Sequence, residues 1–388
     1  MVAIAKTSDA LAKAETVIIK VGSALLVDEK NNRINDSWLA GMAADIATLR
    51  AEGKFVAVVS SGAIALGRRV LGLKNSELRL EEKQAAAAAG QVILANAWMT
   101  ALANHNISTA QILLSPDDTE TRRRHLNARA TMKTLLELGA VPVVNENDTV
   151  ATTEIRYGDN DRLAARVSAM LSAEILLLLS DVDGLYTANP KLDDTATHLA
   201  DVHALTQEVM NMAGSANAAY ASGGMVTKLE AARIATNAGC DMVICDGREI
   251  NPIARLHAGA RNTLFHAGMA PLRARKQWIA GALTPKGSLA VDKGALAALQ
   301  KGRSLLPAGV TEVQGQFERG DLIAVHNLHG DVVAHGLSAY SSGDAKIICG
   351  HKSREIEALL GYRGRDEIVH ADNLVLVEAQ AKKSDPAS

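Results

Sequence analysis

Short unbroken apolar runs return along the first two thirds of the chain: Val17-Ile18-Ile19, Phe55-Val56-Ala57-Val58-Val59, Val141-Pro142-Val143-Val144, Ile175 to Leu179 and Met242-Val243-Ile244. Continuous apolarity, without alternation, is what a strand buried on both faces requires. Between these runs, Trp38 to Ala51, Leu80 to Asn104, Leu126 to Leu138, Arg162 to Ser172 and Met225 to Ala238 have the amphipathic or alanine-rich texture of helices. Strand and helix in repeated succession predict βαβ units and a mainly parallel sheet covered by helices. In open sheets of this kind ligands collect beyond the carboxyl ends of the strands, which is where the polar segments of this chain begin.

After about residue 260 the texture changes. Pro271, Arg273, Arg275 and Lys276 lead to Trp278 through a polar, basic passage. It reads as a linker over 261–280 that closes a catalytic domain over 1–260. From Gly281 onward short β-like runs are punctuated by glycines: Ser288 to Val291, Asp321 to Val325, Val332 to Ala334, Ala345 to Ile348 and Leu374 to Val377. They predict a separate small β-rich domain over 281–377 with a helix at Ala295 to Gln300, and 378–388 reads as a disordered tail.

Composition narrows the classes of function. A net charge of -2 gives no general attraction to nucleic acid or anionic membrane, and 3% aromatic residues leave few platforms for stacking bases. The strongest apolar run, Ile175 to Leu179, is far too short to cross a bilayer. Asp9 and Glu15 interrupt the stretch before Thr16, which argues against a secretory signal. Cys240, Cys245 and Cys349 are odd in number and lack paired metal-ligand spacing, as expected of reduced structural cysteines in a cytoplasmic protein. His326 and His329 have a two-residue gap, but Asn327 and Gly330 mark a turn there.

The candidate chemistry lies in six segments. Val144-Asn145-Glu146-Asn147-Asp148-Thr149 and Gly158-Asp159-Asn160-Asp161 gather carboxylates and amides after a buried strand. Carboxylates can receive an ammonium and amides can hold a carboxylate, so the two together suit a zwitterionic amino acid; a polar loop with helix caps is the plain alternative. Lys20-Val21-Gly22-Ser23 follows the first strand and can cradle a phosphate, although its spacing is not that of a Walker A loop and a strand-to-helix turn with a solvated lysine is the plain alternative. Ser60-Ser61-Gly62-Ala63 brings two hydroxyls and free amides to a helix N-terminus, which suits an anion or simply a serine cap. Ser222-Gly223-Gly224-Met225-Val226-Thr227-Lys228 joins a glycine pair to a helix with Lys228 in its first turn. A cation is disfavoured at that end, so it calls for an anionic partner, phosphate being the obvious one. Ser180-Asp181, opening the stretch to Tyr186 after the leucine-rich strand, can border a nucleotide or equally begin a tight turn, since Asp183-Gly184 is a pair common in turns. Together these describe a phosphoryl transfer site. If a substrate carboxylate is the nucleophile, it is already ionised at neutral pH, and catalysis reduces to alignment and charge neutralisation.

Five of these stretches, in chain order Lys20 to Ser23, Val59 to Ala65, Val144 to Asp148, Gly158 to Asp161 and Gly223 to Lys228, resemble the signature of the glutamate 5-kinases of the amino acid kinase family, and Gly281 to Val377 resembles the PUA domain appended to many of them. The resemblance implies a three-layer α/β sandwich with a mainly parallel central sheet, plus a small β-rich PUA domain. It implies ATP-dependent phosphorylation of the γ-carboxylate of L-glutamate, the first step toward proline, with Mg²⁺ required, proline as feedback inhibitor, handover to a glutamyl phosphate reductase, and a homodimer or homotetramer. It implies that Ser61, Asp148 and Asn160 contact glutamate with Asn145 and Asp159 nearby, that Lys20 and Lys228 neutralise the transferred group while Asp161 orients them, and that Lys20, Ser180, Asp181 and Ser222 to Lys228 hold ATP. No metal ligands are assigned. Ser222 stands where the family more often has Thr, and Ala219-Tyr220-Ala221 replaces a more glycine-rich approach.

Aspartate, acetylglutamate and uridylate kinases share the fold, but the first usually carries ACT domains and the others generally lack a PUA-like extension. RNA binding is the rival from another class. Lys286, Lys293, Lys301 and Arg303 could line such a surface, but Asp292, Glu312, Glu318 and Asp321 oppose them. The Arg122-Arg123-Arg124 run reads as solvated or paired with Asp117, Asp118 and Glu120.

Overall fold

The computed structural model describes residues 2–28, 33–73, 78–150, 160–213, 224–281 and 284–377. It divides into two compact units, Met1–Pro271 and Leu272–Ser388.

In the first unit the strands are β1 (Thr16–Val21), β2 (Val27–Asp28), β3 (Arg33–Ile34), β4 (Phe55–Ser60), β5 (Thr109–Leu114), β6 (Val141–Glu146), β7 (Ile175–Ser180), β8 (Leu185–Tyr186), β9 (His198–Leu199), β10 (Asp201–Val202), β11 (Asp241–Asp246) and β12 (Asn262–Phe265). Eight of them form one sheet in the order β10-β12-β11-β7-β1-β4-β6-β5, parallel except where β12 meets β11. Each central strand is buried on both faces, as its unbroken apolarity requires. Val17, Ile19, Val58, Val143, Leu177 and Val243 pack on one side against Trp38, Met42 and Ile46 of the helix Asp36–Ala51 and Leu94 and Trp98 of the helix Leu80–Ala103. Ile18, Ala57, Val59, Leu176, Leu178 and Ile244 pack on the other, against the helices Arg122–Glu137, Asn160–Leu171 and Met225–Asn237. The result is three layers, helix on sheet on helix. The helix Leu80–Ala103 is long and apolar enough to span a bilayer by length and composition, yet Ala87, Leu94, Trp98 and Leu102 on one of its faces are core residues.

The passage expected as a linker over 261–280 is structured. Asn262–Phe265 is wholly buried and forms β12 between β10 and β11. The basic stretch is the helix Pro271–Gly281, opened by proline at its first position. Its Arg275 is buried in the second unit, where Nε and Nη2 donate to Asn373 Oδ1 at 3.2 and 2.8 Å. A charged residue read as a mark of exposure is here a core hydrogen-bond donor.

The second unit holds β13 (Gly287–Val291), β14 (Val310–Gly315), β15 (Leu322–His326), β16 (Val332–Leu337) and β17 (Leu374–Leu376) in the sheet order β14-β13-β15-β16-β17. Leu289, Val291, Phe317, Ile323, Val325 and Tyr340 form its core. The expected helix is present as Lys293–Gln300, with Asp292 accepting from the Ala295 amide at 2.6 Å. The run Ala345 to Ile348, expected as β-like, belongs to the helix Ser342–Ile348. Four apolar residues do not discriminate strand from helix. The Ser341 hydroxyl accepting from the Asp344 amide at 3.1 Å decides for helix, and Ala345 and Ile348, three apart, are both buried. His326 and His329 do flank a turn, with Asn327 Oδ1 accepting from the His329 and Asp331 amides and Gly330 at φ 85°. The tail 378–388 lies outside the described residues.

Cys240 and Cys245 are buried in the first unit and Cys349 is half-buried in the second; none forms a disulfide.

Candidate functional site

Alternation along β1 places Lys20 on the same side of the sheet as Ile18, beneath the helices Asn160–Leu171 and Met225–Asn237. Asp161 lies in the first turn of one of these helices and Lys228 in the first turn of the other. The three meet: Lys20 Nζ is 2.5 Å from Asp161 Oδ1, and Lys228 Nζ is 3.1 Å from Asp161 Oδ2. Thr227 Oγ1 lies 3.5 Å from the same Oδ2. Asp161 is wholly buried and both lysines nearly so. Burial alone would push the Asp161 carboxyl up; the two ammonium groups outweigh it and hold it below the usual carboxylate range. Lys228 therefore has an anionic partner, and that partner is Asp161. Two ammonium groups meet at one carboxylate, an arrangement suited to an incoming anion.

Beside this triad runs a chain of side-chain amides and hydroxyls. Asn160 Nδ2 donates to Ser61 Oγ at 2.7 Å, to Asn145 Oδ1 at 2.9 Å and to the Ser60 carbonyl at 3.3 Å. Asn145 Nδ2 donates to Gln91 Oε1 at 2.8 Å, while Asn145 Oδ1 also accepts from the Glu146 amide at 2.9 Å. Ser60 Oγ accepts from Trp98 Nε1 at 2.9 Å. Strand register explains the meeting: Val59 pairs with Val144, so Ser60 and Asn145 leave neighbouring strands at one level. The helix Ala63–Val70 is capped by Gly62 in the left-handed region at φ 115°, with no side-chain cap. The serines are thus not N-caps, and the plain alternative for Ser60-Ser61 does not hold.

Gln91 and Trp98 were not among the expected site residues. They share a face of the helix Leu80–Ala103 with Leu94 and Leu102, and an alanine-rich helix reads as core. What brings them to the strand ends is a close helix crossing. A Cβ on Gly67 would stand 1.7 Å from the Ala86 carbonyl oxygen, and one on Gly90 1.8 Å from that of Ala63. Only glycine permits that approach. The one available signal was Gln91 itself, a polar residue at helical spacing among apolar ones.

Asp148 is half-buried just beyond β6, and Ser180 is buried at the end of β7, its Oγ donating to exposed Asp181 at 3.1 Å. Gly224 caps the helix that carries Met225, Val226, Thr227 and Lys228. Asp159, Ser222 and Gly223 lie outside the described residues. Arg124 pairs with Asp118 at 3.5 Å, consistent with a charge-paired run of arginines.

Comparison with known proteins sets this geometry in context. The model of the amino acid kinase family matches residues 15–246, and that of the PUA domain matches residues 287–360. A glutamate 5-kinase of Paramagnetospirillum magneticum is 57% identical over 94% of this chain and 99% of its own. Glutamate 5-kinase 1 of Rhizobium meliloti is 56% identical over 96% of this chain and 94% of its own, and a glutamate 5-kinase of Gluconobacter oxydans is 55% identical over 94% and 97%.

Proposed function

We infer the reaction from one premise: the chain belongs to the amino acid kinase family, on its glutamate 5-kinase branch. It transfers the γ-phosphoryl group of ATP to the γ-carboxylate of L-glutamate, giving L-glutamyl 5-phosphate and ADP, the first step of proline biosynthesis. The observation that carries the chemistry is the buried Lys20–Asp161–Lys228 triad at the carboxyl end of the sheet.

A glutamate carboxylate oxygen forms the new bond to the γ-phosphorus while the bond to the bridging oxygen breaks and ADP leaves. The nucleophile is ionised at neutral pH, so no general base is needed. The barrier comes from bringing two anions together, and the positive charges of Lys20 and Lys228 lower it, with Asp161 keeping the two ammonium groups in place. Ser61, Asn145, Asp148, Asp159 and Asn160 are the glutamate-holding residues. Lys20, Ser180, Asp181 and Ser222 to Lys228 are the ATP-holding ones. Mg²⁺ fits as part of the nucleotide, since Asp161 is engaged by two lysines. Among the described residues the one close grouping of metal-ligating side chains, Asp201, His203 and His266, stands at the β10 edge of the sheet. Carried with the nucleotide, the ion would offset the charge of the phosphates.

The same reading carries feedback inhibition by proline near the glutamate site, handover of the labile acyl phosphate to a reductase, a homodimer or homotetramer and a cytoplasmic location, which the three free cysteines support. It disfavours RNA binding as the main role: Lys286 of the proposed basic surface is paired with Asp321 at 3.1 Å. Hydroxamate formation with MgATP and hydroxylamine, comparing L-glutamate, L-aspartate and N-acetyl-L-glutamate, with UMP followed by ADP release, tests the substrate. We expect glutamate-specific product, reduced by excess proline, and a fall in kcat on the order of 10²- to 10³-fold for Lys228→Ala. Turnover with another acceptor would replace glutamate, and a rate indifferent to proline would remove the inhibitor.

A further inference from the structure

We propose that Gln91 is a positioning residue for the amino acid substrate, anchoring the Asn145 amide and through it the placement of Asn160 and Ser61; this rests on the glutamate 5-kinase reading. One donor that cannot be reversed sets the order. The Glu146 backbone N–H can only donate, so Asn145 turns Oδ1 toward it and is left with Nδ2, which Gln91 Oε1 receives. Asn145 Oδ1 in turn accepts from Asn160 Nδ2, and that same Nδ2 donates to Ser61 Oγ. The Ser61 oxygen is therefore a receiver, its own hydrogen remains to be donated, and Asn160 Oδ1 remains to accept. An amino acid offers carboxylate oxygens and an ammonium group. The relay answers with one donor and one acceptor in a fixed order.

Packing does not explain Gln91. It is 9% exposed on the apolar face that carries Leu94 and Trp98, and its Nε2 is buried with no hydrogen-bond partner among the described residues. Burying an amide with half its capacity unmet is unfavourable, and an apolar side chain of similar length would fill the space better. The position keeps the one atom that Asn145 needs, an acceptor for Nδ2.

The test is steady-state kinetics of the full chain. Gln91→Met keeps the length and removes the acceptor. We expect the KM for glutamate to rise about tenfold, the effect of one lost buried hydrogen bond, with the KM for ATP within about twofold. Because the effect passes through Asn145, adding Gln91→Met to Asn145→Ala costs nothing further. Gln91→Glu, which still accepts from Asn145 Nδ2, brings the glutamate KM back toward the wild-type value. An unchanged glutamate KM in Gln91→Met, a parallel rise in the ATP KM, additive effects with Asn145→Ala, or a Glu variant no better than Met each overturns the proposal. A wild-type chain that forms no glutamyl hydroxamate overturns instead the reading beneath it.

Discussion

Asp161 joins stability to function at a single residue. Its carboxylate is wholly buried between two ammonium groups, and removing one member of such a set leaves the others uncompensated, at a cost of about 3 to 5 kcal/mol. Asp161→Asn is therefore expected to lower both the denaturant midpoint and kcat. The pH dependence follows from the direction of the shift. The folded-state pKa lies below the ordinary 3.8, so this stabilisation is complete above that value and is lost as pH falls through the folded value. Denaturation curves taken from neutral pH down to about pH 3 should fall more steeply for the wild type than for the Asn variant at the acid end; parallel acid limbs would count against the role. Lys20, Asn145 and Ser61 were legible in the sequence because each stands at or just beyond the end of an apolar run, and Asp161 and Lys228 because each opens a helix. Gln91 and Trp98 were not, since their meaning depends on a contact between two helices.

That contact is decisive at the scale of the element. Gly90→Ala would set a methyl group against the Ala63 carbonyl and push the helix Leu80–Ala103 away from the strand ends. A destabilisation of about 3 kcal/mol is expected, with a raised glutamate KM, because Gln91 and Trp98 travel with the helix. Thermal melting and kinetics on the same preparation check both, and a destabilised variant with normal substrate affinity would separate packing from positioning. The five predicted strands and five predicted helices of the first unit are present because their periods are long and unambiguous. Thr109–Leu114 was passed over because it is the edge strand β5, half exposed and broken by Gln111. Ser342–Ile348 was misread for the opposite reason, a helix whose apolar residues fall in one short block.

At the scale of the whole molecule, every described residue of the triad and the amide relay lies within Met1–Pro271, which has its own sheet and its own two core clusters. A chain ending after Pro271 is expected to fold and to form glutamyl hydroxamate, and an inactive but folded truncation would assign the second unit a part in catalysis. The boundary between the units falls about ten residues beyond the expected end of the first domain, because β12 completes the sheet after its sequence has turned polar. The free cysteines divide along the same boundary. Burial pushes the Cys245 thiol up to about 12 and Cys240 in the same direction, while Cys349, half-buried, is raised too and donates to the Val310 carbonyl. In the closed fold none is a ready nucleophile at neutral pH. Each becomes one only when its surroundings open, so alkylation rates at Cys240 and Cys245 time the breathing of the first unit and the rate at Cys349 that of the second, as two clocks built into one chain.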